Sequence, residues 1–205
     1  MAVYKLSAAG GVGTARTNYN SFLAGNPKFI DSSYESIATV TVGSGGQTTV
    51  EFTDIPSTFT HLQVRAIARD NRVPPSGNFN NMHLRINGDT GANYTYHTLR
   101  GNGSSMSADG AGNSTVTDYT VIPSSTAGAN RFGASIWDIL DYANTNKYKT
   151  IKMLSGADDN GTGVIEISSS VWQNTNAITS LRFLLSSTPS FVQHTQFALY
   201  GIKGA

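Results

Sequence analysis

The chain has 205 residues, of which 39% are apolar but only 13% charged, against roughly 25% charged in an average soluble protein. The formal net charge is +1, no Lys/Arg block is present, and there is no cysteine. These facts exclude an electrostatic grip on nucleic acid, disulfides and thiolate-based metal or redox chemistry. Length allows one large β domain or two small ones, and apolar content a real core.

The chain opens on MAVYKLSAAGGVG, a broken apolar run with no continuous h-region, so no secretory signal is expected and synthesis belongs to the cytoplasm. No stretch approaches the roughly 20 apolar residues of a membrane span. Residues 10–29, GGVGTARTNYNSFLAGNPKF, carry Tyr19, Phe22, Leu23 and Phe29 at neither helical nor strand period, among glycines and a proline. Such a segment has no element of its own in which to bury them. Residues 1–33 are therefore expected to form an extended N-terminal arm whose apolar side chains seat on a partner.

From residue 34 the pattern changes to short alternating runs. SIATVTV (36–42) and TTVEFT (48–53), joined by GSGGQ, read as a hairpin. HLQVRAIAR (61–69), NMHLRIN (81–87) and YTYHTL (94–99) read as strands, the first two with one apolar face each. Residues 70–79 form a loop on their prolines and glycine, and residues 100–114, without periodicity, a long one. TVTDYTVI (115–122) is a strand, followed by a loop at 123–130. RFGASIWDILDYA (131–143) fits a helix or a strand; the β-rich context and the alternation of Phe132, Ala134 and Ile136 favour a strand, with a bulge near Trp137 and Asp138. YKTIKMLS (148–155), VIEISSSVW (164–172), ITSLRFLL (178–185) and FVQHTQFALYGIK (191–203) complete about eleven strands. The expected fold is all-β: an antiparallel, jelly-roll-like β-sandwich over residues 34–205.

No catalytic constellation stands out. His61, His83, His97 and His194 lack the on-element spacing of a metal pair. The Asp158, Asp159, Asn160 loop lacks the EF-hand order, and hairpin geometry alone calls for those residues. NGDTGAN (87–93) lacks the Lys and helix of a phosphate loop. Acids occur singly, so no pair is selected for glycoside cleavage. No cofactor, metal or catalytic residue is expected. Tyr94, Tyr96 and Trp137 fit either a sugar-stacking platform or a core that needs large residues.

Several segments together carry a resemblance: NYNSFLAGNP (18–27), ESIATVTVGSGG (35–46), IPSTFTHLQVRAIAR (55–69), INGDTGANYTYHTLRGNG (86–103), DILDYANTNKYKT (138–150) and FALYGIKG (197–204). In this order they resemble a group of tailed-bacteriophage virion proteins common in phages of marine and aquatic bacteria, and the likeness spans nearly the whole chain. It implies a structural virion component without catalytic residues, and its members, variously tail, fibre or head-associated, do not fix a place on the particle. The arm and a single domain too short for a long fibre favour a decoration, cement or head-fibre protein on the capsid surface, anchored by the arm to the major capsid protein, another virion protein or a sister copy. On that capsid-surface reading an oligomer, a trimer for instance, is expected. Burying four arm side chains would contribute roughly 6–12 kcal/mol gross, much of it offset by ordering the arm. The alternative is a tail or neck appendage that binds host polysaccharide through loops 70–79, 100–114 and 123–130, with Tyr94, Tyr96 or Trp137 stacking on the sugar. A glycan-active enzyme is the remotest reading.

Overall fold

Burial alternates residue by residue along most elements, as it does when one face of a strand looks into a core and the other into solvent. The computed structural model describes residues 33–75, 77–187 and 189–204. By its contacts the chain divides into Met1–Ser33 and Tyr34–Ala205, and the strands of the described residues belong to the second unit. In chain order they are β1 (Tyr34–Thr41), β2 (Thr49–Phe52), β3 (His61–Ala68), β4 (Phe79–Ile86), β5 (Tyr94–Gly101), β6 (Met106–Ser114), β7 (Tyr119–Pro123), β8 (Gly133–Leu140), β9 (Lys149–Asp158), β10 (Gly163–Trp172), β11 (Leu181–Leu185) and β12 (Gln196–Ile202). The described residues contain no helix, and every strand pairing is antiparallel. The all-β sandwich is thus the architecture.

Two sheets form it. One has eight strands in the order β1-β12-β3-β8-β9-β10-β5-β6, the other four in the order β2-β11-β4-β7. The main core lies between them. Leu62 and Val64 of β3, Trp137 of β8 and Phe197 of β12 meet Val50 of β2, Leu84 of β4 and Phe183 of β11. Phe183 sits at the centre, its ring 4.9 Å from that of Trp137 and 4.8 Å from that of Phe197.

Three expectations fail, each for a physical reason. The segments at 36–42 and 48–53 are not a hairpin: β1 pairs with β12 and β2 with β11, in different sheets. The GSGGQ link crosses between the sheets, held where Gln47 bridges to Phe191. Residues 100–114 are not one long loop, because most of them form β6, paired along β5 from Gly101↔Met106 to Tyr94↔Ser114. This edge strand buries almost nothing, so its sequence carries no apolar alternation. The expected bulge at Trp137–Asp138 is absent: β8 runs in continuous register with β3 and β9. Register shifts fall instead between Ser36 and Ala38 and between Tyr94 and Tyr96.

Turn chemistry fixes some of the connections. Asn87 and Gly88 both have positive φ, at 50° and 66°, a backbone that Asn and Gly accept most readily. The Asn87 side chain also accepts hydrogen bonds from the backbone N–H groups of Thr179 and Ser180, tying this turn to the lead-in of β11.

Candidate interaction surface

The far half of the eight-stranded sheet has an unusual distribution of polarity. On β10, Ile165 and Ile167 point outward while Glu166, Ser168 and Ser170 point inward and are buried. The pairings align the outward residues into two adjacent rows across six strands. One row runs Ile67, Ala134, Gly156, Ile165, Gly101, Met106; the other runs Arg65, Ile136, Leu154, Ile167, Leu99, Ala108. Ile165 is 62% exposed, Ile67 54%, and Leu99, Leu154 and Ile167 about 45% each. Scattered exposed aliphatics need no explanation, but aliphatics aligned in register make a contiguous apolar patch, and such patches mark interaction sites.

The middle of the first row borders a shallow groove of about 620 Å³, lined among others by Gly101, Gly103, Phe132, Ala134, Gly156 and Ile165. Gly156 and Gly101 flank Ile165 on its two sides. A Cβ built at Gly156 would come no nearer than 3.8 Å to a heavy atom, and one at Gly101 no nearer than 3.7 Å. The fold therefore has room for a side chain at both, and neither has a positive φ. Glycine inside a strand weakens it and often marks a place where another backbone approaches closely.

On the opposite face of the same strands lies a buried polar cluster. Glu166 stands between its cross-strand neighbours Ser155 of β9 and Arg100 of β5. Its Oε2 accepts a long hydrogen bond from Ser155 Oγ at 3.4 Å, and Oε1 lies 3.4 Å from Arg100 Nη1 without a hydrogen bond. Asp118, just before β7, accepts from the Tyr119 N–H but leaves Oδ2 unpartnered. Burial drives the Glu166 carboxyl up to about 7, with Arg100 opposing and Asp118 reinforcing the shift. Burial raises Asp118 as well. The pair can hold a proton near neutrality, but both side chains are almost wholly buried, so substrate has no direct access to them.

The arm residues Tyr19, Phe22, Leu23 and Phe29 lie outside the described residues. The stacking platform is corrected in two of its three members: Tyr94 and Trp137 are fully buried and offer no ring face to a sugar. The Tyr94 hydroxyl takes a hydrogen bond from the Ile86 N–H, and burial pushes its pKa to about 12. Tyr96 is half-buried on β5. The large aromatics serve the core, including Trp172, whose indole N–H donates to Asp89 at 2.7 Å. That bond gives the NGDTGAN turn a structural role. Asp159 likewise closes a turn: it pairs with Arg131 and accepts from Asn78 and from the Gly128 N–H. Among the described residues no three His, Asp or Glu side chains gather as a metal site would need.

Sequence reading missed the outward rows and the inward acids alike. VIEISSSVW shows the alternation of a strand, but alternation does not say which face is outside. The one available signal was chemical: serines on both parities along Ser168, Ser169 and Ser170 mark a strand without a fully apolar face.

Comparison with protein-family models, with curated proteins and with solved structures finds no match to this chain.

Proposed function

We propose that this chain is a non-enzymatic structural component of a tailed-bacteriophage particle, carried on the capsid surface as a decoration, cement or head-fibre protein. Residues 1–33 anchor it, and the sandwich of residues 34–205 is displayed. The observation that carries this reading is the pair of apolar rows on the outer face of the eight-stranded sheet. In a chain with 13% charged residues, such a face favours a molecule that works inside an assembly, where a neighbour covers it. The strand order adds support. β1-β12-β3-β8 facing β2-β11-β4-β7 reads as eight strands wrapped as a jelly roll, the form used by many capsid and lectin domains. On that reading β9, β10, β5 and β6 widen one sheet beyond the roll.

The test is the protein's abundance in purified particles, measured by quantitative mass spectrometry and located by cryo-electron microscopy. Hundreds of copies spread over the head are expected. A few dozen at the tail or neck would favour an appendage instead, and absence from the particle would refute the reading. Removing residues 1–33 should abolish incorporation while the remaining chain still folds.

A further inference from the structure

We infer that the apolar rows of the eight-stranded sheet receive residues 10–29 of a neighbouring copy of this chain. This rests on the anchoring role proposed for the arm and names the surface on which it seats.

The first ground is the surface itself. Ile165 rises between Gly156 and Gly101, so a low channel runs along each side of it. The fold leaves space for a side chain at either glycine, so packing within the body does not impose the channels. A channel floored by glycine admits an extended backbone or the edge of an aromatic ring. Leu154, Ile167 and Leu99 continue the apolar floor in the next row. The second ground is what the chain has to offer. Thirty-two residues precede the described body, and residues 10–29 contain Val12, Tyr19, Phe22, Leu23 and Phe29 with no acidic residue among them. Glycines within the segment suit close backbone approach.

The third ground favours a neighbour over the same copy. Tyr34, the first residue of β1, pairs with Ile202, and Ile202 pairs with His61. Thr41, at the other end of β1, pairs with Gln196, which pairs with Ile67 of the first row. The chain therefore enters β1 at the end of the sheet away from the rows, and the strand's own direction there points off the body. The centre of the rows, between β9 and β10, lies four to five strand spacings from β1, about 21 Å across the sheet. The five residues from Phe29 to Tyr34 span at most about 18 Å. Within one copy Phe29 would fall short of the centre of the rows, and only residues earlier in the arm could reach it; on a neighbour all five apolar residues are usable. An extended arm laid across a neighbour's sheet makes a heterologous contact, which closes into a ring or propagates over a shell.

The absence of cysteine gives a clean experiment on the full-length chain. One copy carries Ser21→Cys beside Phe22, and a second carries Lys152→Cys, an exposed residue two positions before Leu154. They are mixed with a short thiol–thiol crosslinker. The expected product is a crosslink between Ser21→Cys and Lys152→Cys copies, absent when the body cysteine is Glu51→Cys on the other sheet. Adding Gly156→Val to the body copy fills the channel and should lower the yield by about tenfold or more, since a bulky side chain there blocks close packing. Ile165→Thr serves as a second variant that keeps strand propensity, and the melting temperature of each is recorded to show that it folds. Mixed copies that crosslink no more than the Glu51→Cys control would overturn the inference. So would a doubly substituted chain that links only within itself at every dilution, or a yield that ignores both Gly156→Val and Ile165→Thr. Particle incorporation is scored separately. Lost crosslinks with normal incorporation sink the docking site alone; normal crosslinks in a protein absent from particles sink the virion reading alone.

Discussion

Replacing Glu166 by Gln should change how stability depends on pH. Glu166 is 2% exposed, and burial raises it from an ordinary 4.5 to about 7. The folded chain therefore keeps this proton to a higher pH than the unfolded chain does. Between about 4.5 and 7 the native state holds more protons, so stability falls as pH rises through that window and levels off above it. The gap of about 2.5 pKa units, at 1.36 kcal/mol per unit, amounts to about 3 kcal/mol. Asp118 shifts in the same direction and adds to the loss, while Arg100 on β5 partly offsets it by attracting the ionised form. Gln cannot ionise, keeps nearly the same shape and can still accept from Ser155. Urea unfolding at pH 4.5, 5.5, 6.5 and 8 would read the effect from midpoints at constant slope. Wild type should lose on the order of 3 kcal/mol more than Glu166→Gln across this range, with the two nearly equal at pH 4.5 and the variant the more stable at pH 8. Parallel curves for the two proteins would refute the buried-proton argument. A wild type that gained stability with pH through this window would refute its sign.

The core and the turns give further expectations. Trp137→Ala removes the largest side chain packed on Phe183 and should cost about 3–5 kcal/mol in unfolding free energy; if Trp137 instead lay on the surface, the cost would be well under 1 kcal/mol. Lys149→Met strips the Nζ donor from the carbonyls of Asn144, Lys147 and Thr175 and should cost about 2–4 kcal/mol, read from the urea midpoint. Asp159→Ala breaks the ties to Arg131, Asn78 and Gly128, so limited proteolysis should speed up within residues 124–131. In the wild-type protein added Ca²⁺ should leave the melting temperature unchanged, because the Asp159 oxygens already serve Arg131, Asn78 and Gly128.

Where a strand has one face in the main core, its sequence announced both its existence and its orientation. Leu62, Val64, Ala66 and Ala68 of β3 were aligned by sequence and all are buried; Met82, Leu84 and Ile86 of β4 likewise. Strand pairing was far less legible. A short glycine-rich link such as residues 43–47 serves a hairpin or a crossing between sheets equally well, because both need the same reversal and nothing local reports which strand lies alongside. Existence itself became illegible in β6, whose nine residues bury almost nothing and are held in the sheet by their pairing with β5.

The hardest case is β10, where alternation is present and yet the apolar face turns outward, and it yields a last prediction. If Ile165 and Ile167 belonged to the core, replacing both by Thr would bury two hydroxyls and lose two large side chains, a penalty of several kcal/mol. On the structure they stand 62% and 45% exposed, on strand positions where Thr is a favoured residue. The double variant Ile165→Thr, Ile167→Thr should therefore unfold within about 1 kcal/mol of wild type, with an unchanged urea slope. Its solubility should rise, since the patch most prone to self-association has been made polar. A destabilisation above about 3 kcal/mol would place the two isoleucines inside the body. Glu166 and Ser168 would then have to face solvent, because a strand shifted by one residue exchanges its two faces completely. The same measurement thus tests the outward rows and the buried acid together: neither can be misplaced without the other.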